Sequence, residues 1–201
     1  MRKVGLTGSI AVGKSFVCEV LREIGCPVLD ADETSREVVA KGTTGLAEIV
    51  RHFGVDALLP DGQLDRKKVG AIVFADKSKR ALLNSIVHPL VIEAQDAWIR
   101  EIELHDPNGI AVIDAALMIE SGGYTRFDKI VVVWCKPALQ LARLITRDKL
   151  SDDEAKMRIT AQMPQDEKKR YADYLIDTSS GFDDTRRQVE DVVGQLRNPS
   201  P

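Results

Sequence analysis

Residues 8–15 read Gly-Ser-Ile-Ala-Val-Gly-Lys-Ser, and this octet constrains the fold more than any other stretch of the 201-residue chain. It matches G-x-x-x-x-G-K-[ST], with a short apolar run before it and an amphipathic helical pattern after it. Gly8 and Gly13 let the backbone turn so that consecutive N–H groups, those of Ala11 and Val12 included, face inward as a cradle for phosphate oxygens. The amino end of the following helix adds partial positive charge. Lys14 is placed to reach the β- and γ-phosphates of a nucleoside triphosphate, and the Ser15 hydroxyl to ligate Mg²⁺. A loop of this kind leaves a strand and enters a helix, so the chain is expected to be α/β.

The rest of the pattern agrees. Short apolar runs at 3–6, 27–29, 110–113, 130–134 and 174–176 alternate with helical periodicity, which implies βαβ units and a parallel sheet. The first helix carries Phe16, Val17, Val20, Leu21 and Ile24 on one stripe, and Gly25 ends it. About eighty residues between the second and third strands read as helical throughout. There Thr34 and Glu37 have capping-box spacing, Asp61-Gly62 marks a turn, and Pro89 predicts one helix ending near Val87 and another running on to about Leu104. Ser151 and Glu154 open a further short helix, and residues 183–196 make an amphipathic one before a frayed Asn198-Pro-Ser-Pro end. A helical insertion of that size in an α/β core reads as a substrate-binding subdomain, or as packing alone.

The formal net charge of −3 provides no general attraction to nucleic acid or to an anionic membrane. An anionic ligand must therefore be held by a local cluster of cations. Cys18, Cys26 and Cys135 have neither paired nor zinc-type spacing, which suits a reducing cytoplasm. No apolar stretch has the length of a signal peptide's core or a membrane span.

Three aspartates fall at predicted strand ends, where doubly wound sheets bind their ligands. Asp30 and Asp32 close the second strand and Asp114 closes the third. Phosphoryl transfer needs Mg²⁺ held and an acceptor hydroxyl aimed. Asp32 is the candidate for the acceptor, with Asp30 or Asp114 ordering magnesium water; the alternative for Asp32 is a helix N-cap. Arg143 and Arg147 share one face of a predicted helix, and Arg158 follows on the next. They read equally as a cluster that neutralises a transferred phosphoryl group or as a solvated face paired with Asp148, Asp152 or Asp153.

Taken in order, these residues resemble the dephospho-CoA kinase family nearly end to end. The likeness runs through Gly5-Leu-Thr-Gly8 and the loop, Asp30-Ala-Asp32, Leu64-Asp65-Arg66 with Val73-Phe74, and His88-Pro89. It continues through Asp114 to Glu120, Gln140 to Arg147, Arg158-Ile159 with Gln162, and Ala172-Asp173-Tyr174 with Ile176-Asp177. The resemblance implies a three-layer P-loop NTPase fold with five parallel strands in the order 2-3-1-4-5. It implies one kinase domain over 1–201, with a helical acceptor-binding insertion at 33–105 and a lid at 137–165. The implied reaction is ATP-dependent phosphorylation of the ribose 3′-hydroxyl of dephospho-CoA, with Mg²⁺. Carried over by position, Asp32, Lys14 and Arg147 are catalytic. Gly8, Ala11 to Phe16 and Arg143 bind nucleotide, Asp32 and His88 face the acceptor, and Ser15, Asp30 and Asp114 serve the metal. The departures are Ser9 for a frequent glycine, Phe16 for a frequent threonine, Ala115-Ala-Leu-Met118 for a segment that usually contains proline, and Thr178 for a frequent asparagine. Kinases of other small acceptors, and nucleotide switches, share the loop alone; the N-K-x-D motif of guanine switches is absent.

Overall fold

The first strand, β1 (Arg2–Gly8), is buried along nearly its whole length, as a strand must be when helices cover both faces of a parallel sheet. The structure is a computed structural model and describes residues 1–198; the expected fraying of 199–201 lies outside the described residues. β1 pairs in parallel with β3 (Ile110–Asp114) on one side and β4 (Lys129–Trp134) on the other. β2 (Val28–Asp30) and β5 (Tyr174–Asp177) complete the five-stranded parallel sheet in the order β2-β3-β1-β4-β5. Every strand expected from the apolar runs is present, each within two residues at either end. The register sets Leu6 beside Asp114 on one flank and Val131 on the other, so the carboxyl end of β1 opens between two strand ends. Gly8 is there because nothing larger fits: a Cβ at that position would meet the Val133 carbonyl oxygen at 2.6 Å.

Helix α1 (Lys14–Glu23) starts directly after Gly13, whose φ of 90° is a left-handed conformation that suits glycine. It ends in a Schellman-type close at Gly25, where Cys26 N–H reaches the Leu21 carbonyl at 2.8 Å. Its inner stripe of Val17, Cys18, Val20 and Leu21 packs in one core with Val189, Val192, Val193 and Leu196. The latter four belong to α9 (Phe182–Arg197). Full burial of each such side chain is worth roughly 1.5–3 kcal/mol, so this layer fixes where α1, and hence the loop before it, sits on the sheet.

Helices α6 (Pro137–Asp148) and α7 (Asp152–Thr160) follow β4. The capping box read at Ser151 and Glu154 forms as expected. The single turn α8 (Gln165–Lys168) leads into β5.

Residues 30–100 form a compact unit of their own, while Met1–Leu29 and the chain from Glu101 onward form the other. The former contains α2 (Ala31–Glu37), α3 (Thr44–Phe53), α4 (Arg66–Ala75) and most of α5 (Lys77–His105). Val39, Ile49, Ala57 and Val69 are the centre of its separate apolar core. Gly45 lets two segments approach, since a Cβ there would collide with the Val38 carbonyl oxygen.

Two local expectations are corrected here. Thr34 does not open a helix. It lies within α2, and its hydroxyl turns back to the Asp30 carbonyl oxygen at 2.9 Å, while Asp30 is the residue that caps. The chain also does not break at His88-Pro89: α5 runs through Pro89 as one helix of 29 residues. Proline removes a single N–H and crowds one carbonyl, a local cost that the remaining turns of a long helix outweigh.

Candidate active site

The loop after β1 curls through two left-handed residues, Ala11 at φ 60° and Gly13 at φ 90°. Ser9 is not one of them, so its replacement of glycine introduces no backbone strain. Loop residues 8–15 line one side of a cleft of about 690 Å³, and Arg143, Thr146, Arg147 and Gln162 stand among its other walls. That volume suits a small-molecule ligand of nucleotide size.

Lys14 forms an ion pair with Asp114, the acid that ends β3. Asp114 is itself buried and accepts a second hydrogen bond from the Cys18 thiol at 3.3 Å. Burial first, and then the Asp114 charge, push the Cys18 thiol up to about 12, so it stays protonated and keeps donating. Ser15 is exposed at the first turn of α1, next to Lys14 in sequence and on the wall of the same cleft.

Arg143 donates to the Thr178 hydroxyl at 2.8 Å and to the Thr178 carbonyl at 2.9 Å. The same buried hydroxyl donates to the Val12 carbonyl at 2.6 Å, so Thr178 ties the phosphate loop to the arginine. Arg147 pairs with Asp148 at 2.7 Å, and Arg158 reaches the same carboxylate at 2.8 Å. The pairing with Asp148 is therefore realised, while among the described residues these arginines make no ion pair with Asp152 or Asp153. One acid engages Arg147 and Arg158, yet Arg147 also lines the cleft.

A family model described as dephospho-CoA kinase matches residues 2–184. The chain belongs to the dephospho-CoA kinase family. It is 45% identical over 199 residues to a dephospho-CoA kinase of Listeria innocua, covering 98% of each chain. Among solved structures, TT1252 from Thermus thermophilus superposes with a TM-score of 0.82 at 27% identity, covering 97% of both chains. The dephospho-CoA kinase from Campylobacter jejuni gives 0.71 at 29% identity, over 97% of this chain and 96% of that one.

As a member of that family the chain has departures that now acquire physical settings. Phe16 is half-buried and packs against Phe182 in a tilted pair with ring centroids 4.7 Å apart, so its ring joins α1 to α9, and Phe16 is not among the residues lining the cleft. Thr178, in place of asparagine, is the tether just described. Ser9 keeps a buried hydroxyl that has no hydrogen-bond partner among the described residues.

Asp30, Asp32 and His88 lie in the 30–100 unit of this kinase. The N-cap weighed for Asp32 falls instead on Asp30, whose Oδ1 accepts from Asp32 N–H at 2.7 Å and Glu33 N–H at 3.1 Å. The cap occupies Oδ1 of Asp30 and leaves Oδ2, while Asp114 is the acid paired with Lys14 of the loop. Asp32 itself is exposed in the first turn of α2, and its carboxylate has no hydrogen-bond partner among the described residues. His88 is exposed in the middle of α5.

Lys168 supports the wall of the cleft, and local sequence reasoning passes over it because Gln165-Asp-Glu-Lys-Lys reads as a solvated charge run. It is fully buried, and its ammonium group donates to the Ala116 carbonyl at 2.8 Å and pairs with Glu120 at 2.8 Å. Thr7 donates to the same Ala116 carbonyl at 3.2 Å, so the cleft-lining segment after Asp114 is pinned from both sides. Removing one partner of a buried pair costs most when the survivor stays desolvated; the Glu120 side chain is a quarter exposed, which puts the loss at the low end, about 3 kcal/mol. Lys168→Met is therefore expected to lower the melting temperature by about 6–12 °C in a thermal melt. A shift below 2 °C would show that the pair does not anchor this segment.

Proposed function

We propose that the cleft holds ATP with its triphosphate in loop 8–15, and that the kinase transfers the γ-phosphoryl group to the ribose 3′-hydroxyl of dephospho-CoA, giving CoA and ADP. The observation that carries this reading is the convergence on one cleft of the phosphate loop with Lys14 and the α6 arginines Arg143 and Arg147. Phosphoryl transfer asks a protein mainly for positioning and for charge placed where the transition state develops it. Lys14 supplies that charge from the loop. Arg143, held through Thr178 against Val12, supplies it from a fixed position. Arg147 adds a third cation once it exchanges Asp148 for phosphate oxygens.

In the transfer the acceptor oxygen bonds to the γ-phosphorus and the β–γ bridging bond breaks, with ADP leaving. The acceptor proton passes to Asp32, whose carboxylate follows the end of β2 by two residues. We assign residues 33–105, His88 among them, to the acceptor, and residues 137–165 to the lid. The reaction is placed in the cytoplasm, in keeping with three free, buried cysteines.

Magnesium fits the donors present. Among the described residues no group of three His, Cys, Asp or Glu side chains converges as a protein-made cage. Mg²⁺ with a nucleotide characteristically takes one or two protein oxygens and leaves the remaining positions to phosphate and water. The Ser15 hydroxyl, with Asp114 through water, is such a donor set. When bound, the ion neutralises charge on the β- and γ-oxygens.

The test is acceptor choice. ADP release from Mg-ATP should depend on dephospho-CoA, and AMP, adenosine or shikimate should support less than a few per cent of that rate. Equal rates with a smaller acceptor would reassign the substrate while leaving the nucleotide cleft in place.

A further inference from the structure

The left-handed Ala11 is a non-glycine residue in a conformation that costs an L-residue roughly 1–2 kcal/mol, so something must hold the loop in it. The peptide groups of Ile10, immediately before Ala11, are gripped from outside the loop. Ile10 N–H donates to Gln162 Oε1 at 2.7 Å, and Ile10 C=O accepts from Gln140 Nε2 at 2.8 Å. These partners lie 152 and 130 residues away in sequence.

The orientation of each amide is forced. An N–H of Ile10 requires the oxygen of Gln162, and a carbonyl of Ile10 requires the nitrogen of Gln140. The Gln140 oxygen then accepts from Gln165 Nε2 at 2.7 Å, and the Gln165 oxygen accepts from Cys135 N–H at 3.0 Å, just past the end of β4. Gln140 is 2% exposed, so an unmatched end of its amide would be costly, and the chain leaves none unmatched. Gln140 also occupies the helical turn immediately before Arg143, with Arg147 one turn further on. The helix that carries the arginines is thereby tied to the loop twice, through Gln140 to Ile10 and through Arg143 and Thr178 to Val12.

We propose that Gln140 and Gln162 are positioning residues of nucleotide binding, clamping the Ile10 peptide so that the loop holds its phosphate-receiving shape before nucleotide arrives. This rests on the assignment of loop 8–15 to the triphosphate. A loop ordered in advance loses less freedom on binding, so the clamp contributes to affinity for any nucleotide whose phosphates enter the loop. The effect belongs in nucleotide binding and the KM for ATP, with kcat at saturating ATP little changed.

The experiment compares wild type with Gln162→Met, Gln140→Leu and Gln162→Glu. It uses ADP titration, ATP-dependent kinetics, thermal melting, and amide hydrogen exchange of the loop peptide in the nucleotide-free protein. Each of the first two variants should weaken ADP binding and raise the KM for ATP about 3- to 10-fold, the worth of one net hydrogen bond, and should speed exchange across residues 8–15. Gln162→Glu keeps an acceptor for Ile10 N–H and should keep the slow exchange. Gln162→Met removes only the partly exposed end of the clamp and so tests the idea even if Gln140→Leu fails to fold. A lower melting temperature with nucleotide affinity and loop exchange at wild-type values would make both residues packing elements and overturn the proposal. A wild-type protein that binds neither ADP nor ATP would overturn the assignment of the loop itself, and this proposal with it.

Discussion

Lys14→Met is expected to reduce kcat/KM for Mg-ATP by about 10³-fold, the upper end of what one preorganised charge donor provides at a developing anion. The loop's backbone N–H groups would remain, so nucleotide binding should weaken far less than turnover. The substitution also leaves Asp114 in its buried position with only the Cys18 thiol as partner. A loss of stability should therefore accompany the loss of activity, and a melt run beside the kinetics separates the two. Lys14→Arg should recover the charge opposite Asp114, and with it the stability, while recovering little turnover, because a planar guanidinium does not occupy the place of a compact ammonium. Activity within tenfold of wild type in Lys14→Met would contradict the role assigned to the loop.

The second large effect separates two neighbouring acids. Asp32→Asn should lower kcat by about 10²- to 10⁴-fold, the range for a positioned proton acceptor, with ATP affinity unchanged within about twofold. Asp30→Asn should behave quite differently. Asparagine caps a helix as well as aspartate does, so the two hydrogen bonds to Asp32 N–H and Glu33 N–H survive the change. Turnover in that variant should stay within a few fold of wild type. The informative measurement is kcat for both variants at saturating ATP and dephospho-CoA. If Asp30→Asn were the inactive one and Asp32→Asn the active one, the assignment of proton acceptor would be reversed.

The sheet was legible in the sequence because strands buried on both faces leave continuous apolar runs, as in Ile130-Val-Val-Val133, which no exposed helix would tolerate. The loop, Lys14 and Ser15 were legible because their chemistry needs fixed spacing within eight residues. The arginines were legible as a pair one helical turn apart. What stayed hidden depends on partners far along the chain. Lys168 looks solvated until Ala116 and Glu120 close over it, and Gln140, Gln162 and Gln165 have no local pattern because their hydrogen bonds span 25 to 152 residues. Thr178 stands out in the sequence only as a departure, and its tether to Val12 needs β5 and the loop to be adjacent. The two boundaries at which the structure departs from the sequence pattern have a common cause. The Thr34 spacing and the Pro89 break are local preferences, and the Asp30 cap and the length of α5 overrode them.

The central claim is transfer to one particular hydroxyl, and the product tests it directly. Purified protein incubated with Mg-ATP and dephospho-CoA should yield one new species heavier by a single phosphate. Phosphorus NMR of that species should show a ribose 3′-monoester, formed in a one-to-one ratio with ADP. ADP accumulating with dephospho-CoA unchanged in mass, or a phosphate found at any other position, would contradict the account.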